Sequence, residues 1–258
     1  MSFSVLISVS WVIRLISKCL TTVPIYTFAS LECKEHVKYL GILLDSNLTW
    51  KFHIEYGALK ISRIIGVIAH LRHFIPLCTL LNIYRSLIFP YMSYGLAAWG
   101  QAAKTHLHKL LVLQKRALRL MYFSEPISHA VSLFITSNIL PINMLYVETA
   151  SSLMYDVSRL SVPSNISDLF TKVNEIQTHK TKSSSSGNFY TKSSCLCLNQ
   201  RSFARFGAKL WNSYRDKFRQ LPKSAFKKYA HSLLLSIMEA KDNYVETPIL
   251  LHEIANLT

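Results

Sequence analysis

Five aspartates, Asp45, Asp156, Asp168, Asp216 and Asp242, stand far apart along the 258-residue chain, and no two are adjacent. Their spacing bears on phosphoryl transfer. A two-metal centre needs at least two carboxylates converging on divalent ions that activate the attacking hydroxyl and stabilise the leaving oxygen. With no adjacent pair, neither polymerase nor nuclease chemistry is expected of this chain alone. His70 with His73, and His106 with His108, lack an acidic or thiol partner at helical spacing, so surface or core histidines are expected and no metal site. Cys195 and Cys197 are the only close pair among five cysteines, which reads as reduced, buried thiols of an intracellular protein, nuclear or cytoplasmic. Seven glycines supply no phosphate-cradling loop, and no cofactor is expected in the chain.

The cations carry more chemistry. Lys and Arg number 29 against 14 Asp and Glu, a formal charge of +15. Such an excess suits a polyanion, because each phosphate neutralised releases condensed counterions; a basic but solvated surface is the alternative. Lys109, Lys115, Arg116 and Arg119 share one predicted helix face, and Lys60, Arg63 and Arg72 lie off the apolar stripe of another. A denser run holds Arg201, Arg205, Lys209, Arg215, Lys217, Arg219, Lys223, Lys227 and Lys228, with Asp216 its only acid. Phe203, Phe206, Trp211 and Tyr214 are interleaved there, either as platforms for bases or as core.

The elements that must hold these groups are mostly helices. Half the residues are hydrophobic, enough for a core. Residues 25–31 and 37–45 read as two strands joined through a polar break, and Ser46-Asn47-Leu48-Thr49 supplies turn chemistry and a helix N-cap. From 50 to 73, Ile54, Ala58, Ile61, Ile65, Ile68 and Leu71 recur at helical intervals. A second helix follows Pro76 with Leu80, Ile83, Leu87 and Tyr91 inward, kinked or ended by Pro90. A third spans 104–122 with Leu107, Leu110, Leu111, Leu118 and Met121 inward, completing a small bundle. Pro141 opens a helix running to Arg159; a Ser/Thr/Lys stretch at 177–188 reads as loop; 202–214 and 222–240 read as helices. Residues 3–16 are apolar, but Arg14 and Lys18 interrupt them, and neither a membrane span nor a signal peptide is expected. The fold class is therefore mainly α with a small β hairpin.

Several of these segments also carry a resemblance. The stretch Val37-Lys-Tyr-Leu-Gly-Ile-Leu-Leu-Asp45, then Ser46-Asn-Leu-Thr-Trp-Lys51 and His53-Ile54, resembles the region just after the catalytic hairpin of jockey-like LINE (non-LTR) reverse transcriptases. It continues through Lys60-Ile61-Ser62, Leu71-Arg72, Tyr84-Arg-Ser-Leu-Ile-Phe-Pro90, Tyr94-Gly95, Trp99-Gly100 and Leu113-Gln114-Lys115-Arg116. Farther on, Leu133-Phe134, Ile139-Leu140-Pro141, Thr181-Lys182-Ser183-Ser184, Gly207-Ala-Lys-Leu-Trp-Asn212 and Phe226-Lys227-Lys228 fit the same pattern. Each motif alone is weak; the collinear series is specific.

The resemblance implies roles by position. Residues 1–30 match nothing in the family. Residues 31–48 resemble the end of the palm, with Tyr39, Leu40 and Gly41 as the primer-grip hairpin. Residues 49–125 resemble the helical thumb, 126–175 a helical connector, 176–200 a flexible loop, and 201–258 a basic carboxy-terminal helical region that handles RNA and target DNA. Lys182 stands where the family has Arg, a point charge in place of a bidentate fork. Lys182, Arg201, Arg205, Lys209 and Trp211 thus join the bundle's cations as expected nucleic-acid contacts. The family's catalytic aspartates, its Mg2+, and the fingers and most of the palm would belong to an upstream polymerase domain. The expectation is a fragment that binds RNA, DNA or RNA–DNA hybrid without copying it. The alternative is a non-catalytic protein-interaction scaffold derived from a transposon remnant.

Overall fold

A two-residue type I′ turn, whose twist matches that of the flanking strands, needs positive φ at both central positions, and Leu40 (φ 47°) and Gly41 (φ 85°) provide it. In the computed structural model, which describes residues 35–176, 187–191, 202–241, 251–252 and 254–255, this turn joins β1 (His36–Tyr39) to β2 (Ile42–Asp45). The strands are antiparallel, with His36 opposite Asp45 and Tyr39 opposite Ile42. The stretch that alternation alone reads as one strand is therefore a complete hairpin, bent at the glycine as the resemblance implies. The expected strand at 25–31 and the apolar segment at 3–16 lie outside the described residues.

The turn is clamped from a distance. Tyr94 donates its hydroxyl to the Leu40 carbonyl at 2.6 Å, and Trp99 Nε1 donates to the Tyr94 carbonyl at 2.9 Å. Gly95, at φ 63°, leaves room for Ile42: a Cβ there would sit 2.6 Å from Ile42 Cδ1. The Tyr94-Gly95 and Trp99 motifs thus fix the hairpin on the bundle.

Helix α1 (Lys51–Leu71) buries Ile54, Ile61, Ile65 and Ile68, the apolar stripe expected from its period. Its N-cap is Trp50 in a left-handed conformation, not a residue of the Ser46–Thr49 turn. No side chain caps the helix; Asp45 instead holds the turn that leads into it. Its carboxylate accepts Thr49 N and Trp50 N, each at 2.8 Å, and the Thr49 hydroxyl at 2.7 Å.

The second predicted helix is three pieces in sequence: α2 (Leu77–Ile83), a π turn (Tyr84–Ile88) and α3 (Phe89–Ser93). Phe89 N–H bonds the Tyr84 carbonyl, five residues back. The widened turn places Leu80, Tyr84, Ile88 and Met92 inward at four-residue intervals, whereas Leu87 and Tyr91 face solvent. The inward positions expected at Leu87 and Tyr91 are corrected by that shift. Pro90 falls early in α3, where its missing N–H is tolerated.

After the short α4 (Leu96–Trp99), α5 (Lys104–Met121) runs parallel to α1: Lys109 meets Glu55 near their starts, and Arg72 Nη1 reaches the Leu120 carbonyl near their ends. Next comes α6 (Val131–Ser137), a helix the sequence reading does not anticipate, closed by Asn138 at φ 54°. α7 (Ile142–Ser158) buries residues all round its circumference, as a central helix must. α8 (Ser164–Ser167) and α9 (Val173–Ile176) are single turns. α10 (Phe203–Ser213) and α12 (Lys223–Lys241), separated by the short α11 (Asp216–Arg219), pack on α7. Among the described residues no single helix is long and apolar enough to cross a membrane; α6 and α7 together are, but they meet at 43°.

Gln114, on α5, is 1% exposed and joins three segments. Its Nε2 donates to Tyr84 Oη at 3.1 Å and to the Leu140 carbonyl at 3.3 Å, and its Oε1 accepts Ile142 N at 2.8 Å. Gln114→Ala orphans those buried groups and should lower unfolding stability by about 2–4 kcal/mol. A urea denaturation midpoint within error of wild type would contradict this.

Candidate nucleic-acid interface

Along β1, side chains two residues apart share a face; along α1, side chains four apart do. The two periods meet on the surface of this protein. His36 stacks on Phe52 with ring centroids 4.7 Å apart, and two residues on, the Lys38 ammonium lies 6.0 Å from the centre of the Tyr56 ring. Lys60, one turn farther along α1, lies 5.5 Å from the same ring. Tyr56 is 37% exposed, and the exposed Arg63 follows on the same side of the helix. An accessible aromatic face between two ammonium groups can engage a base or sugar while the cations meet phosphates. Tyr39, Leu40 and Gly41 end the hairpin beside this ladder, with Leu40 53% exposed at the tip.

Two polar contacts hold the hairpin against α1. One is the Asp45 carboxylate, which holds the Thr49–Trp50 turn before α1. Burial would raise its pKa, but the bonds from Thr49 and Trp50 outweigh that and keep the carboxyl below its ordinary range. The other is His53, buried on α1, whose Nδ1 accepts Leu43 N–H at 3.4 Å while its ring meets Trp99 edge-on. Burial lowers the His53 pKa from 6.5 to about 4. The imidazole is therefore neutral at physiological pH, as an acceptor at Nδ1 requires.

The other candidate cations divide into distinct settings. Arg72 lies 5.0 Å over the Phe123 ring and donates to the Leu120 carbonyl, so it ties helix ends together. Arg119 donates twice to the Ser128 carbonyl, at 3.1 and 2.7 Å, holding the loop after α5. Lys109 is paired with Glu55 at 2.9 Å. Lys115 is half-buried, and burial lowers its pKa with Arg119 adding to the effect. Arg116 is exposed. Arg205 is half-buried and Lys209 exposed on α10; Lys182 and Arg201 lie outside the described residues.

Trp211 is corrected. It is 3% exposed, packs against Phe226 and Tyr155, and carries the Arg219 guanidinium 5.6 Å from its ring. Phe203, Phe206 and Tyr214 are buried as well. The amphipathic period of α10 turns Phe203, Phe206 and Trp211 inward, and Tyr214 is buried just past its end, so none offers a face to a base. The sequence reading passed over Lys38 and Tyr56. Their signal is the combination of His36-x-Lys38 with Phe52-x3-Tyr56-x3-Lys60, legible only once strand and helix are set side by side.

Among the described residues, no group of three or more His, Cys, Asp or Glu side chains converges. Asp45 holds Thr49 and Trp50, Asp156 pairs with Lys223, and Asp216 approaches Arg219 at 3.4 Å.

No family model and no solved structure matches the chain. Among curated proteins, the RNA-directed DNA polymerase from mobile element jockey of Drosophila melanogaster is 42% identical over 86 residues, 32% of this chain and 9% of that protein. Its counterpart from Drosophila funebris is 35% identical over 86 residues, with the same shares. The probable RNA-directed DNA polymerase from transposon X-element of Drosophila melanogaster is 29% identical over 87 residues, 33% of this chain and 10% of that protein. The chain resembles jockey-like reverse transcriptases. The matched stretch is about a tenth of the length of these relatives.

In this reverse-transcriptase-like chain the hairpin should loosen in acid. A folded-state pKa below the unfolded value means that stability is present above about 6.5 and is lost as pH falls toward about 4. The full loss at His53 is on the order of 3 kcal/mol. His53→Gln should flatten the fall in urea midpoint between those pH values; a curve parallel to wild type would refute the assignment.

Proposed function

We propose that this chain is a nucleic-acid-gripping module of reverse-transcriptase type, which holds RNA, DNA or RNA–DNA hybrid without sequence preference. The Lys38–Tyr56–Lys60 cluster carries the reading, because it sets an exposed aromatic face between two cations beside a clamped hairpin tip. In this reading Tyr39, Leu40 and Gly41 act as a primer-grip-like turn, and the α1–α5 bundle acts as a thumb against the duplex. Lys60, Arg63 and Arg116 supply phosphate contacts, with Lys209 a further one on α10. Arg72 and Arg119 act by positioning, since their guanidinium groups are engaged with carbonyls and a ring.

Magnesium, which the family's chemistry implies, does not fit the described residues: no three His, Cys, Asp or Glu side chains come together, and both buried aspartates are engaged, Asp45 by Thr49 and Trp50 and Asp156 by Lys223. Copying therefore falls to an upstream polymerase domain, the natural partner of this module. The chain alone is expected not to extend a primer on an RNA template with Mg2+ and deoxynucleotides, and template-dependent extension by pure protein would end that part of the proposal.

Binding is tested by fluorescence anisotropy with a labelled RNA–DNA hybrid across a salt series. The log–log slope should be clearly negative, with about 0.7–0.9 per phosphate contacted. Lys38→Ala with Lys60→Ala should reduce that slope by roughly two, about one per phosphate-contacting lysine. Tyr56→Ala should weaken binding by about 1–3 kcal/mol if a base stacks there. A slope near zero, or variants that bind as wild type does, would remove the interface.

A further inference from the structure

The exposed side of α1 does not end at the aromatic ladder. Tyr56, Lys60, Arg63, Val67 and His70 follow one another at three- and four-residue intervals, and none of them is buried. From Tyr56 to Phe74 the chain carries no acid, and Glu125 is the only one between Lys115 and Val131 on the α5 side. A phosphate chain laid along this stripe would meet cations and no carboxylate from that stretch of α1. A second aromatic group stands at the far end. The Arg72 guanidinium lies 5.0 Å from the centre of the Phe123 ring, the His73 ring lies 5.5 Å from it at 67°, and Arg72 Nε donates to His73 Nε2 at 3.2 Å.

Phe123 is an unusual residue for its place. α5 ends in a turn in which Ser124 N–H bonds the Arg119 carbonyl at 2.9 Å, with Phe123 left-handed at φ 53°. Glycine is the usual occupant of that position, because an L side chain is strained there. Burial does not compensate: Tyr122 packs on the core, while Phe123 is 58% exposed and Phe74 85%.

From these features we infer that Phe123, backed by Arg72, is a second stacking platform, which takes an unpaired base of a strand running along α1. The inference rests on the nucleic-acid reading above and extends it to single strands. An unpaired base fits because its flat face covers apolar surface while its neighbouring phosphates stay on the cationic stripe. The guanidinium against the ring adds a cation–π contribution. Tyr56 and Arg72 are about 24 Å apart along the helix axis, at 1.5 Å per residue. A stacked strand advancing about 3.4 Å per nucleotide needs about seven nucleotides to reach from one platform to the other.

The test titrates the full chain with a fluorescein-labelled oligoadenylate of about twelve nucleotides, long enough to span both platforms, and with the RNA–DNA hybrid. Phe123→Gly suits the left-handed turn, so its thermal melt should match or exceed that of wild type. It should bind the oligoadenylate at least about fivefold more weakly, the lower end of what stacking one base contributes. The hybrid, whose bases are paired, should bind as it does to wild type, and Phe123→Trp should keep the oligoadenylate affinity. Oligoadenylate binding by Phe123→Gly equal to wild type, or wild type that holds the hybrid alone, would end the inference and leave the interface at Tyr56 standing. Wild type that binds neither ligand would end both. An equal weakening of both ligands, or a lower melt, would make the ring a part of the fold and overturn the platform.

Discussion

The carboxamide of Gln114 sits where three segments distant in the chain must meet: the middle of α5, the π turn at Tyr84, and the Leu140–Ile142 approach to α7. A buried amide is costly unless its donors and acceptor are met, and stabilising when they are. All three partners answer it, so the network specifies one arrangement of the bundle. Burial pushes the Tyr84 phenol up to about 12, so it stays a neutral partner across the physiological range. Misplacing any of the three segments strands polar groups in the core, a penalty no apolar rearrangement offsets.

Several sequence motifs gain a physical reason in this light. Gln114 and Ile139-Leu140-Pro141 are two halves of one hydrogen-bonded joint. Tyr94-Gly95 and Trp99 are the seat of the hairpin. Asn212 grips the backbone of Phe189 from both sides, accepting its N–H at 2.9 Å and donating to its carbonyl at 2.8 Å. These are architectural contacts. They give these motifs a structural role in joining the bundle and seating the hairpin.

The long helices α1, α5, α10 and α12 were legible because burial on one side imposes a period; α7, buried all round, was marked instead by Pro141 just before it. The π turn was not, since one added residue in the spiral leaves no composition mark, and it misled the assignment of Leu87 and Tyr91. α6 escaped notice because a helix of two turns is too short to establish a period. Candidate cations could be named from the sequence, but their engagement could not. Arg119 and Arg72 read as free charges until the carbonyls of Ser128 and Leu120 come within reach. Lys38 and Tyr56 were invisible for the opposite reason: each belongs to a different element, and only tertiary packing makes them neighbours.

The widened turn at Tyr84–Ile88 has a mechanical meaning as well. Removing one residue from it would restore an ordinary spiral and rotate everything downstream by about 100° about the helix axis. Tyr94 would swing with that rotation, and its hydroxyl would leave the Leu40 carbonyl. The surplus residue therefore behaves as a phase adjuster between two parts of the molecule. It lets the helix satisfy the bundle on one side while aiming, ten residues later, the phenol that steadies the hairpin tip.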